Sequence, residues 1–128
     1  MHLGFFKDFG WADSVFLTGS PSEIASLAER LGTFAFSGED SMPIHNIAIV
    51  ASKYPAQLYA LSKTPPLPTD TSHFHWLCSP KEIESVQGKL QRLAESGSGH
   101  QYFDLLGSSA QLVVSVGEYS DSWWQAQA

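Results

Sequence analysis

Apolar residues recur along this 128-residue chain with two different periods, and the switches between them outline its elements. Ile24, Leu27, Ala28, Leu31 and Ala35 share one stripe, and Ile83, Val86, Leu90, Leu93 and Ala94 share another. Both follow the i, i+3, i+4, i+7 spacing of an amphipathic helix. Period-two alternation predicts a strand before each helix, about Ser14–Thr18 and about His73–Cys78. Two more strands follow each helix: about Ile44–Val50 with Ala56–Ser62, then His100–Leu106 with Gln111–Val116. Lys53-Tyr54-Pro55 and Gly107-Ser108-Ser109 supply the turn chemistry between them.

The order of these elements repeats. Ser20-Pro21-Ser22-Glu23-Ile24 returns 59 positions later as Ser79-Pro80-Lys81-Glu82-Ile83. Strand starts at His45-Asn46-Ile47 and His100-Gln101-Tyr102 follow, and then Ala56-Gln57-Leu58 and Ala110-Gln111-Leu112. In each copy a serine hydroxyl is placed to accept from an orphaned helical N–H, a proline takes the first helical position, and a glutamate completes a capping box. Gly38 and Gly97 are placed to close the helices in left-handed conformation.

The expected fold class is therefore α+β: two β-α-β-β repeats related by a pseudo-twofold, about six strands with two helices packed on one sheet face. The repeats span about 14–62 and 73–119 of a single domain, 1–128, and a proline-rich linker over 63–70 joins them.

Alternation also assigns faces. In the second half Phe74, Trp76, Phe103, Leu105, Leu112, Val114 and Val116 form the apolar set expected against the helix. The opposite set is His75, His100, Tyr102, Asp104, Gln111, Val113 and Ser115, which suits a wet or binding face. In the first half the corresponding outer face is Phe16, His45, Ile47, Ile49, Tyr59 and Leu61. A patch so apolar calls for cover. The candidates are the aromatic segment Leu3, Phe5, Phe6, Phe9 and Trp11, the Trp123-Trp124 tail, or a second copy of the chain. The last would be a homodimer through Phe16, Ile47, Ile49, Tyr59 and Leu61.

Composition narrows the function. The chain is 43% hydrophobic, enough for one core without staples, and its single cysteine excludes an internal disulfide framework. Neither a signal peptide nor an apolar run near the roughly 18 residues of a membrane span is visible, so a soluble cytoplasmic protein is expected. Net charge is −6 with only seven Lys and Arg, and no basic cluster serves nucleic-acid phosphates. A basic protein partner suits this charge better.

Candidate chemistry is thin. His73-x-His75, with His100 and Asp104, would be the beginning of a metal site, yet no tight ligand motif accompanies it. Ser115, His100 and Asp104 can be drawn as a triad without any spacing that compels one. Cys78 precedes a helix, but Gly19 holds the same place in the first half, which marks a tight turn and a buried thiol. Glu95-Ser96-Gly97-Ser98-Gly99 follows a helix instead of opening one and so cannot cradle a phosphate. No cofactor and no metal are expected. The run from Val116 to Trp124, with Glu118, Tyr119, Asp121 and two tryptophans, has the aromatic and acidic make-up of an interface; folding of the tryptophans onto the core is the alternative.

At Gly19-Ser20-Pro21-x-Glu23-Ile24-x-x-Leu27-Ala28-x-x-Leu31 the chain resembles bacterial immunity proteins of polymorphic toxin systems, in particular the family called immunity protein thirty-two. Gly99-His100-Gln101-Tyr102-Phe103-Asp104 and Val114-Ser115-Val116-Gly117-Glu118-Tyr119 resemble a related pattern. Members are typically a single unit, whereas this chain is a tandem. The resemblance implies a non-enzymatic antitoxin that binds and occludes a cognate protein toxin. The residues expected to touch that partner are His100, Tyr102, Asp104, Glu118, Tyr119, Asp121 and Trp124. The rival readings are a small metal-dependent hydrolase using His75, His100 and Asp104, and a structural homo-oligomeric module.

Overall fold

A computed structural model of the chain describes residues 1–9, 12–65 and 73–127. Within them the chain is α+β, with eight strands in two mixed sheets and three helices. The strands are β1 (His2–Phe9), β2 (Ala12–Gly19), β3 (Ser41–Pro43), β4 (Ile49–Val50), β5 (Leu58–Leu61), β6 (Phe74–Leu77), β7 (Gly99–Asp104) and β8 (Gln111–Val116). The helices are α1 (Pro21–Ala35), α2 (Ile83–Ser96) and α3 (Asp121–Gln125). One sheet has the order β4-β1-β2-β8-β7, the other β3-β5-β6.

Helix α1 begins as its sequence predicts. Ser20 Oγ accepts from Glu23 N–H at 3.2 Å, and the Glu23 carboxylate accepts from Ser20 N–H at 2.9 Å. The second copy is looser. Ser79 Oγ accepts from Glu82 N–H at 3.3 Å, but Ser79–Glu82 forms a turn and α2 proper starts at Ile83 without a side-chain cap. Gly97 ends α2 in left-handed conformation, with φ of 76°. Gly38 is also left-handed but lies beyond the α1 cap residue, Phe36. The apolar stripes of both helices are buried, apart from half-buried Ala94. They meet Leu3, Val15, Leu17, Leu58, Ala60, Trp76, Phe103, Leu112, Val114 and Val116 in one continuous core.

Three sequence expectations are corrected. A single sheet of about six strands is instead two sheets, because β2 leaves its own half to pair in parallel with β8, while β6 pairs in parallel with β5. The aromatic N-terminal segment is itself a strand, β1, joined antiparallel to β2 and parallel to β4. The strand expected over 44–50 is a single 3-10 turn at Ile44–Asn46 followed by the two-residue β4. Pro43, which has no N–H for a ladder, closes β3. Beyond it His45 Nδ1 sits 3.2 Å from both the backbone N and O of Leu58, accepting from one or donating to the other according to its tautomer.

The two sheets share one pairing rule. Val15, Phe16, Leu17 and Thr18 pair with Leu112, Val113, Val114 and Ser115; 59 positions on, Phe74, His75, Trp76 and Leu77 pair with Leu58, Tyr59, Ala60 and Leu61. Leu58 and Leu112 are the leucines of the two Ala-Gln-Leu runs. The antiparallel neighbours agree as well, Ser41 facing Leu61 as His100 faces Ser115. Structurally, then, His100 answers to Ser41 and not to His45. Where α1 meets α2, Gln87 Nε2 donates to the carbonyl of Ala28 at 2.8 Å, two positions 59 residues apart.

The apolar outer face expected of the first half does not exist as one surface. Phe16 lies in the larger sheet and Tyr59 and Leu61 in the smaller, while Ile47 packs against the main core. Ile49, on the edge strand β4, is 64% exposed. Phe16 is covered by the chain itself: Phe6, Phe9, Tyr119, Trp123 and Trp124 all stand within 6.3 Å between ring centroids. Trp11 and linker residues 66–70 lie outside the described residues.

Candidate functional site

The polar-aromatic face expected in the second half forms on the outer side of β7 and β8. Alternation turns Phe103, Leu112 and Val114 inward, and leaves His100, Tyr102 and Asp104 on the far face opposite Ser115, Val113 and Gln111. Tyr102 is 48% exposed, a large aromatic surface in water.

The segment beyond β8 builds the site. It turns at Gly117, φ 74°, and a Cβ there would stand 2.8 Å from the Gly97 carbonyl oxygen. Glycine alone permits this turn. It carries Glu118 back over the sheet, where Oε1 accepts from the buried Ser115 Oγ at 2.7 Å. The same carboxylate lies 2.9 Å (Oε1) and 3.2 Å (Oε2) from His100 Nδ1. Tyr119 sets its ring edge-on to Phe16 at 4.7 Å, and burial pushes its phenol pKa up, with Glu118 and Tyr102 adding to the shift. Ser120 then caps α3 by accepting from Trp123 N–H at 3.2 Å. Between these elements opens a cavity of about 110 Å³, walled by Phe9, Phe16, Tyr102 and Tyr119, with Glu118 and Gln111 among its polar groups.

The sequence-predicted residues separate into three groups. His100, Tyr102, Glu118 and Tyr119 come together at this cavity. Asp104 shares their face but stands four residues along β7 from His100, about 13 Å at the usual rise. Asp121 is exposed on α3 and contacts His2 Nε2 at 3.2 Å. Trp124 is 4% exposed: its indole Nε1 donates to Thr18 Oγ1 at 2.7 Å and its ring stacks on His2. Trp124 therefore belongs to the core, not to a contact surface.

The drawn triad has the wrong order. Ser115 Oγ–H is donated to Glu118 and the carboxylate stands between serine and histidine, so His100 is not placed to take the serine proton. His75 lies on the smaller sheet, and His100 and Asp104 stand about 13 Å apart along β7 of the larger at the usual rise, so the three residues of the hydrolase reading do not converge on one centre. Among the described residues no group of three or more His, Cys, Asp or Glu is arranged to hold a metal ion. Cys78 is fully buried and its thiol is pushed up to about 12 by desolvation. No helix among the described residues is long and apolar enough to cross a membrane.

Two sets of residues escape the sequence reading. Phe9, Ala12 and Ser14 line the cavity because β2 pairs with β8, a long-range pairing that no local pattern announces. On the smaller sheet Tyr59 is ringed by His45, His73 and His75, with centroids 4.9, 5.6 and 5.8 Å away. The His-x-His spacing is its only visible signal. In comparison with known proteins, the chain matches no family model, no curated protein and no solved structure.

Proposed function

We propose that this chain is a non-enzymatic binding protein of the immunity or antitoxin kind, acting in the bacterial cytoplasm by capping a basic protein toxin. One observation carries the reading: Tyr102 stands half-exposed at the open edge of this outer sheet face, beside the ordered Ser115–Glu118–His100 network. A rigid aromatic next to fixed polar groups loses little entropy on docking, which is the make-up of an interface hot spot. The net charge of −6 favours approach by a basic partner. The resemblance of the Gly19–Leu31 and Gly99–Tyr119 segments to immunity proteins supports the same reading.

The test is coexpression. The product of the neighbouring gene in the source genome should arrest growth alone, be neutralised by this chain and form a stoichiometric complex with it. Tyr102→Ala should weaken that complex roughly 30-fold, the effect of losing about 2 kcal/mol. A neighbour that is harmless alone, or a toxin that forms no complex, would sink the proposal.

A further inference from the structure

The cavity beside Tyr102 is small, aromatic and anionic, and that combination selects its occupant. Its volume of about 110 Å³ leaves ample room for a planar guanidinium group. Phe9, Phe16, Tyr102 and Tyr119 supply the aromatic walls, whose ring faces attract cations. Glu118 supplies a carboxylate fixed by Ser115 and His100. A carboxylate has about four lone-pair positions, so acceptor capacity remains after those two bonds. Gln111 adds a side-chain carbonyl on the same wall. A planar, weakly hydrated cation with a fork of N–H donors matches these groups better than a compact ammonium does.

We infer that this cavity is an arginine-anchoring site: the partner's arginine side chain enters between Tyr102 and Tyr119 and donates to Glu118. The inference rests on the binding-protein reading for its biological partner, but the cavity's chemistry can be tested alone. The occupant is positive, as the net charge of −6 already favours.

The full chain, isotopically labelled, is titrated with N-acetyl-arginine amide and, separately, with the neutral isostere N-acetyl-citrulline amide. Saturable NMR shifts are expected at His100, Tyr102, Gly117 and Tyr119 with the arginine probe, in the millimolar range. The citrulline probe should bind roughly tenfold more weakly, and added salt should weaken the arginine probe. Two variants are used: Glu118→Gln, which removes the charge but keeps one oxygen to accept from Ser115 and His100, and Tyr102→Leu at an exposed position. Each should weaken the arginine probe about fivefold or more with the rest of the spectrum unchanged. Equal binding of the two probes, no saturable shift, or unchanged binding in both variants overturns the inference.

The two proposals fail separately. If the toxin is still neutralised while the arginine probe does not bind, the anchoring site falls and the immunity reading stands. If the probe binds as expected but no toxin is neutralised, the site stands and the immunity reading falls.

Discussion

Truncating Trp124 distinguishes a tail that completes the core from one that waits for a partner. Its side chain is 4% exposed, stacks against Phe16 and His2, and donates from Nε1 to Thr18 Oγ1 at 2.7 Å. Removing a buried tryptophan in favour of alanine costs about 3–5 kcal/mol. At about 2.1 cal/mol/K per residue, this 128-residue chain has an unfolding entropy near 270 cal/mol/K, so each kcal/mol lowers Tm by roughly 4 °C. Trp124→Ala should thus melt roughly 10–20 °C below wild type in circular dichroism, with a parallel loss in urea. Trp124→Phe isolates the hydrogen bond: it keeps a ring but leaves the Thr18 hydroxyl, 5% exposed, without its donor, at a cost of about 1–3 kcal/mol. In a cycle with Thr18→Val the double variant should lose less than the sum of the singles by about 1 kcal/mol. If Trp124→Ala loses under about 1 kcal/mol, the tail is not docked and the reasoning fails.

The same geometry fixes three further outcomes. Gly117→Ala should destabilise the fold by about 1–3 kcal/mol, since φ of 74° and the Gly97 carbonyl both oppose a Cβ, and the His100–Glu118 cross-talk in NMR should disappear with it; a neutral substitution would mean the turn is not fixed. Cys78 should resist thiol reagents at neutral pH and label only as urea opens the fold, because its thiol is held up to about 12; fast labelling of the native protein would contradict its burial. Tyr119 has a raised pKa, so below pH about 10 it is neutral in both folded and unfolded chains and its effect on stability is fully retained. As pH rises past 10 the unfolded chain ionises first and stability should fall, while Glu118→Gln should relieve only the lesser part of the shift, since burial is its leading cause; ultraviolet phenolate titration checks both.

Local chemistry made much of this fold legible. The stripes that bury α1 and α2 are fixed by a 3.6-residue period. Ser20 and Glu23 close a capping box because they stand three positions apart, and Gly97 sits where α2 must turn. The inward set Trp76, Phe103, Leu112, Val114 and Val116 follows from a period of two. The site was half legible. His100 and Tyr102 share a strand face by alternation, but that Glu118 folds back onto Ser115 depends on one glycine, and the same run of aromatic residues gave Trp124 no visible difference from Tyr119.

Along the sequence, spacing within a few residues was enough to mark α1 and α2 as helices, to place most strands and to show which side of each is apolar, while α3 and the 3-10 turn at Ile44–Asn46 carried no such signal. Long-range packing alone settles that β2 and β6 each cross to pair with strands of the other half, that β1 is a strand of the larger sheet as well as a cover for Phe16, and that Phe9 reaches the wall of the cavity beside Tyr102. Strand pairing joins residues about a hundred positions apart, as with Val15 and Leu112. Hydrogen bonding between backbones is the same for every residue type. Alternation therefore marks a strand's faces and leaves its neighbours to be settled by the packing of the whole core.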